Sequence, residues 1–460
     1  MKGWNVMGGL VAFTLLAGAA KAKDLGDILL QKGLITPEEL GQAKEEEKQK
    51  TAAEESRRDA IMAKLPKWLE HITPFGDLRT RYESFYQQDN IARNRFRLRG
   101  RIGLNANASD EIGATFRLAT GDSNNPVTRN QTFEKAFTQK PVSLDQAYLT
   151  LKPGKTLNLE PGWITMTAGK FGANAYRVSE LLWDDDLTPE GATETVNLVE
   201  QKEGFLRGLK LNAFQWVVDE LAAHEDPWMA GGQVVVDTAL GSMGTWTLAV
   251  ANFHYENLDQ VASKFIEPTS KNYNNQLANT NRFVKDSNGK LTGFLSGFNL
   301  FSAASELNSP DPIGLGVPGG LFSEFAYNTQ ADTMNVGIYT GVGLGYAGKD
   351  WYHNSLKNKG DWAASYTYAY VERDAVPAMF TYDDDYYYTR SQSPAPIGGT
   401  NIGAHIVRLD YMPLANFQLT LKTHLINALD DHLNPSTTAF SPYKGNPTLV
   451  RTQMDAMLKF

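Results

Sequence analysis

From Thr73 onward the chain alternates apolar and polar side chains with a period of two, and polar segments rich in Gly, Pro, Asn and Asp break the alternation. The clearest stretch is 93–107, RNRFRLRGRIGLNAN. Arg93, Arg95, Arg97, Arg99 and Arg101 fall on one parity; Phe96, Leu98, Ile102 and Leu104 fall on the other. Successive side chains of a strand point to opposite faces, so this stretch makes an apolar wall backed by a ladder of guanidinium groups. A helix would scatter the same residues around its axis. In a soluble sheet the arginine face would meet bulk water. In a transmembrane barrel the apolar face meets lipid and the arginine face lines a wet lumen.

The same period predicts sixteen strands, at 75–86, 93–107, 112–120, 144–152, 163–171, 192–201, 205–218, 231–240, 245–257, 291–302, 320–329, 334–347, 361–373, 400–412, 416–426 and 449–460. An even number is what single-chain bacterial barrels use. With both ends of the barrel on one side, the long polar loops (86–92, 121–142, 172–191, 258–290, 374–399 and 428–448) share the opposite rim, and short turns such as 108–111, 241–244 and 413–415 share the first. Long loops outside and short turns inside is the asymmetry of an outer-membrane barrel. The segments 303–319 and 331–333 break it, one too long and one too short, and a shift of one hairpin there gives fourteen or eighteen strands.

Ahead of the barrel the pattern differs. Residues 1–22 carry Lys2, an apolar run and Ala20-Lys21-Ala22, the form of a cleaved secretory signal. Residues 23–71 read as a helical periplasmic segment. Thr36-Pro37-Glu38-Glu39 is a capping box with proline at the first helical position. The helix beyond it is charged along 44–58 and lacks a broad apolar face, which suits a solvated tether or, less simply, a weak coiled coil between protomers. The barrel then occupies 72–460.

Composition narrows the function. The chain of 460 residues has a net charge of -8, a mean hydropathy of -0.37 and no cysteine. The hydropathy is too polar for a bundle of membrane helices, whereas a barrel hides its apolar content in every second residue. The acidic balance speaks against nucleic acid as a partner. No thiolate metal site or disulfide can form, and there is no HExxH or GxSxG; the seven histidines are dispersed. No catalytic group, metal or cofactor is therefore expected. Gly343, Gly345 and Gly348 spell GxGxxG, but inside an alternating strand instead of between strand and helix. Gly337, Gly341, Gly343 and Gly345 share one face, as a smooth inner wall for a folded-in loop or as a bend forced by barrel closure.

Several segments carry a resemblance. The loop 179–191 reads SELLWDDDLTPEG; Glu372-Arg373-Asp374-Ala375-Val376 precedes an aspartate run at 383–385; Gly398-Gly399-Thr400-Asn401 leads into a strand; and the leader reads KGLITPEEL. Together these resemble the putative porin family of Gram-negative bacteria. The resemblance implies an all-β outer-membrane barrel passing small hydrophilic solutes by passive diffusion, as a homotrimer, with the N-terminal segment in the periplasm.

The resemblance also makes 172–191 a constriction loop folded into the barrel. It would bring Trp183, Asp184, Asp185, Asp186 and Glu190 towards pore-lining Arg79, Arg81, Arg95, Arg97, Arg99, Arg101 and Arg117, setting a transverse field across the lumen. Two plainer arrangements use the same residues: aspartates capping a short helix, and arginines paired along the wall. The run Asp383 to Asp385 reads as a solvated loop or as a cation bridge to lipid headgroups. A final phenylalanine, Phe460, resembles the end that barrel assembly machinery reads. The expected partners are thus outer-membrane lipid, that machinery and small solutes. The competing functions are an outer-membrane hydrolase, for which no Ser-His pair is located, and an interaction barrel such as a partner sheath or adhesin.

Overall fold

The computed structural model describes residues 36–42, 45, 70–88, 90–222, 224–266, 280–289, 291–348, 350–384, 387–388, 396–397, 399–430 and 447–460. The signal segment and most of the N-terminal helix lie outside the described residues. The capping box is within them, and it is reciprocal: the Thr36 amide donates to Glu39 Oε2 at 2.7 Å, and the Glu39 amide donates to Thr36 Oγ1 at 3.2 Å.

Sixteen antiparallel strands close into one barrel. They are β1 (Ile72–Tyr86), β2 (Arg93–Asn107), β3 (Ile112–Thr120), β4 (Val142–Leu151), β5 (Ile164–Lys170), β6 (Glu190–Glu200), β7 (Leu206–Val217), β8 (Trp228–Ala239), β9 (Thr245–Glu256), β10 (Phe298–Ser309), β11 (Gly319–Asn328), β12 (Val336–Gly345), β13 (Trp362–Val371), β14 (Ile402–Leu414), β15 (Phe417–Ala428) and β16 (Leu449–Lys459). Each pairs with its sequence neighbour, and β1 pairs with both β2 and β16. Closure leaves no open edge, so the backbone polar groups of the wall are satisfied within the sheet, as hydrocarbon surroundings require. At the seam, Gly76 and Phe460 exchange backbone hydrogen bonds of 2.9 and 3.0 Å.

One expected strand is displaced. The stretch 291–302 does not form a single strand; Leu291–Phe294 pairs with Phe283–Lys285 in a small hairpin within the loop after β9, and the barrel strand is Phe298–Ser309. Both stretches alternate, so periodicity alone could not choose between them. The shift shortens the troublesome 303–319 segment to a turn at 310–318, and the count stays at sixteen.

Parity places the side chains as the alternation predicts. Phe96, Ile102, Leu104, Phe116, Leu149, Val342 and Leu419 are exposed on the outer face, while Arg97, Arg99, Arg451 and Gln453 are buried inside. The lumen is not empty. Segments 171–189 and 372–384 fold in from the rim that carries the long loops, and segment 346–361 folds in from the rim of short turns.

Two glycines on the inner faces make room for them. A methyl group on Gly343 would collide with the indole of Trp351, and one on Gly337 would lie 2.8 Å from Leu181 Cδ1. The smooth wall is thus a seat for folded-in segments, and Trp351 fixes itself there by donating Nε1–H to Asn308 Oδ1 at 2.7 Å. Gly343→Ala should lower barrel stability by about 1–3 kcal/mol, the usual range for overpacking. Thermal unfolding in detergent checks this, with a distinctly smaller loss expected when the change is made in a Trp351→Ala background.

Candidate functional site: a charged throat inside the barrel

The in-folded segments are held by apolar and polar anchors of different kinds. Trp183 is buried on the inner wall, with ring centroids 4.7 Å from Phe253 and 4.8 Å from Trp216, and it donates Nε1–H to Tyr255 Oη at 2.8 Å. Burying one such side chain contributes about 1.5–3 kcal/mol, enough to seat a loop against its ordering entropy only if polar groups are matched as well. Glu324 of β11 supplies that match: one carboxylate oxygen accepts from the amides of Val178 and Ser179 at 3.0 and 2.8 Å and from Ser179 Oγ at 2.8 Å. For the second segment Asn281 donates to the carbonyl of Val376 at 2.9 Å and accepts from the Ala378 amide at 2.8 Å. The two segments also clasp each other, Asp184 N–H to Phe380 O at 2.8 Å and Asp383 N–H to Asp184 Oδ2 at 3.1 Å.

What remains between them is a polar cavity of about 100 Å³. Its cationic wall carries Arg79 and Arg81 from β1, Arg99 from β2, Arg408 from β14 and Lys422 from β15. Its acidic side carries Glu180, Asp184, Asp185 and Asp186 from one segment and Asp383 and Asp384 from the other. The wall and the loops are in contact. Asp186 lies 3.4 Å from Arg99 and 3.6 Å from Arg101, and Asp384 accepts from Arg81 at 2.8 Å. Arg81 also holds Asp455 of β16 with two parallel hydrogen bonds of 2.7 and 2.8 Å.

The other arginines of the ladder are inside but engaged. Arg95 is ion-paired with Glu83, Arg97 lies 3.8 Å from the same carboxylate, and Arg101 donates to Asp77 at 2.6 Å. Arg117 is 2.6 Å from Asp145, which also holds Arg129. Two expected constriction residues sit elsewhere. Trp183 turns away from the cavity, because its apolar ring is better served by the aromatic wall. Glu190 already opens β6 and pairs with Lys170 at 2.9 Å, so the ladder keeps it from the arginine face. Asp383 and Asp384 reach the lumen instead of a solvated outer loop; Asp385 lies outside the described residues. Arg408, Lys422 and His353 carried no local signal in sequence, since each joins the cavity through contacts far along the chain, whereas Glu180 lies in the quoted loop but was not among the residues expected to narrow the pore.

Burial and neighbouring charge divide the loop carboxylates. Burial works to raise Asp186, but Arg99, Arg101, Arg129 and Arg79 outweigh it and hold the group at about 2. Asp384 is likewise held well below the usual range, burial being overcome by Arg451 and Arg81. Asp383 goes the other way: burial and the adjacent Asp384 push it up to about 8, against Arg97 and Arg451. Asp184 is raised by burial and by Glu180.

A family model described as Putative porin matches residues 87–423. The chain belongs to the putative porin family. No curated protein matches this porin. Among solved structures it is similar to OmpF of Salmonella typhi, with 10% identity, a TM-score of 0.45 and coverage of 85% of this chain and 97% of that one. It is also similar to OprB of Pseudomonas putida, with 10% identity, a TM-score of 0.49 and coverage of 85% and 94%. OmpT of Vibrio cholerae matches at 9% identity with a TM-score of 0.41, covering 85% and 99%.

The pH response of the throat follows from Asp383. Below about pH 8 it is neutral; above that it adds a negative charge facing Asp184, Asp186, Asp384, Arg97 and Arg451. Reversal potentials in planar bilayers should therefore move towards cations between pH 7 and pH 9, and Asp383→Asn should remove that upper step.

Proposed function

We propose that this outer-membrane porin is a water-filled channel that passes small hydrophilic solutes and ions passively and sorts them by charge and dipole at the throat. The observation that carries this is the meeting of opposed charge inside a closed barrel: Arg79, Arg81 and Arg99 on the wall and Asp184, Asp186, Asp383 and Asp384 on two in-folded segments line one polar cavity, with Arg81 and Arg99 in contact with Asp384 and Asp186. Where the water layer is thin, screening is incomplete, and charges of opposite sign on opposite sides set a field across the passage. A dipolar solute lowers its energy by aligning with that field, while an apolar one must displace oriented water without compensation.

The exposed apolar belt suits contact with outer-membrane lipid, and the rim of long loops then faces outwards. The helix that follows the Thr36 capping box precedes β1 in sequence, and β1 starts at the rim of short turns, which supports a periplasmic place for residues 23–71. Family kinship supports a homotrimer and insertion by the barrel assembly machinery, with Phe460 as the recognised residue beside the seam. Membership of the putative porin family supports transport over hydrolysis.

Arg79→Gln together with Arg99→Gln should shift the zero-current potential towards cations by a measurable margin in a salt gradient, while single-channel conductance persists. An unchanged potential would remove these arginines from the selectivity filter. Liposome swelling with sugars, amino acids and carboxylates, run on the same variants, should show the largest change for charged and zwitterionic solutes.

A further inference from the structure

One group in the throat has chemistry that charge sorting leaves unused. Glu180 and Asp185 come from the segment entering at the long-loop rim; His353 comes from the segment entering at the other rim. Their ligand-type atoms all lie within 4.8 Å of one another. The imidazole is fixed from behind: Nδ1 is 2.9 Å from Asp350 Oδ1, and the His353 amide donates to the same oxygen at 3.1 Å. Ser355 Oγ–H donates to Asp350 Oδ2 at 2.7 Å, so the carboxylate that orients the ring is itself oriented.

The forward nitrogen is the telling atom. His353 Nε2 is buried and lies 2.7 Å from Asp185 Oδ2, yet it is aligned with no hydrogen-bond acceptor. Glu180 is only 5% exposed; its Oε1 accepts the Asp185 amide at 2.9 Å, and the positive groups that act on it are His353 itself and Lys422. Asp185 has Oδ1 on Arg177 and presents Oδ2 to the ring. An imidazole held by a second carboxylate, with two further carboxylates in front of it, is a ligand set that suits borderline transition metals. Calcium or magnesium would call for more oxygen ligands and would gain little from the nitrogen.

We propose that Glu180, Asp185 and His353 bind a divalent transition-metal ion of the zinc class, with Asp350 positioning the imidazole. The ion would join the segment 171–189 to the segment 346–361, and its remaining coordination position would face the cavity. Metal bound there narrows the passage, adds positive charge to it, and ties together two chain segments that enter the barrel from opposite ends. The simpler arrangement, an imidazolium shared between Asp185 and Asp350, binds no metal and so gives no zinc response.

The test uses the purified full chain with zinc chloride as the probe. Zinc titrated into detergent-solubilised protein should bind with a stoichiometry of one by calorimetry, raise the unfolding temperature, and reduce conductance saturably in planar bilayers. His353→Gln and Glu180→Gln should each weaken binding at least tenfold, and Asp350→Asn about 10–100-fold, the usual cost of losing an outer partner of a metal-bound histidine. His405→Gln, at a ring stacked on Tyr366 outside the throat, should leave binding unchanged, and calcium chloride should produce none of these effects. Absence of saturable zinc binding to the wild-type chain, or equal binding by the Glu180→Gln and His353→Gln variants, overturns the proposal. Neither result bears on the charge-sorting reading, which the Arg79 and Arg99 variants test separately.

Discussion

The structure depends on pairing buried charges across elements that are distant in sequence. Arg451 is fully buried, donates to Glu83 at 2.6 Å, and is bound to Asp384 as well. Glu83 in turn serves Arg95, Arg97 and Arg81. Leaving one such charge uncompensated costs roughly 3–5 kcal/mol, more than a single aromatic anchor contributes. Loop and wall therefore specify each other. The segment 372–384 is where it is because Asp384 completes the shell of Arg81 and Arg451, and the wall tolerates its arginines because the segment arrives.

That mutual dependence explains why more than one segment meets the arginines inside the barrel. A single acidic loop could not match a ladder that runs the height of β2. Asp186 meets the lower guanidinium groups at Arg99 and Arg101, Asp384 meets Arg81, and Asn130, from the loop after β3, accepts from Arg79 at 2.7 Å. The segments 171–189, 372–384 and 346–361 also each bring a buried apolar residue, Trp183, Met379 and Trp351. Apolar burial supplies the bulk of the attachment, and the charges determine where it is allowed.

Much of the fold was legible in the chain, for a physical reason. The period of two is local, and a one-residue error would turn every side chain to the wrong face. The parity of Arg95 to Arg101 could thus be read directly. The register of 291–302 could not, because two neighbouring stretches alternate equally well. In the site, the acidic loop was visible through resemblance, but its details were not. Trp183 and Glu190 share a motif with Asp184 to Asp186, and only packing separates an anchor, a strand residue and a charge that reaches the wall. His353, Arg408 and Lys422 share one cavity with Glu180 and Asp185 from far along the chain, and nothing local marks such a meeting.

The bidentate link from Arg81 to Asp455 has one more effect. These two residues are direct partners between β1 and β16, the strands that meet last when the chain is followed in order. Sliding one strand past the other by two residues would preserve inside and outside, so hydrophobic alternation does not forbid it. It would, however, pull guanidinium and carboxylate apart by more than 6 Å or so, given about 3.3 Å of rise per residue. One direction of slide would set Glu83 opposite Asp455 and the other would replace Arg81 by Arg79, so the charged clasp favours one stagger of the closed cylinder, and with it one tilt and bore, where greasiness alone would accept several solutions.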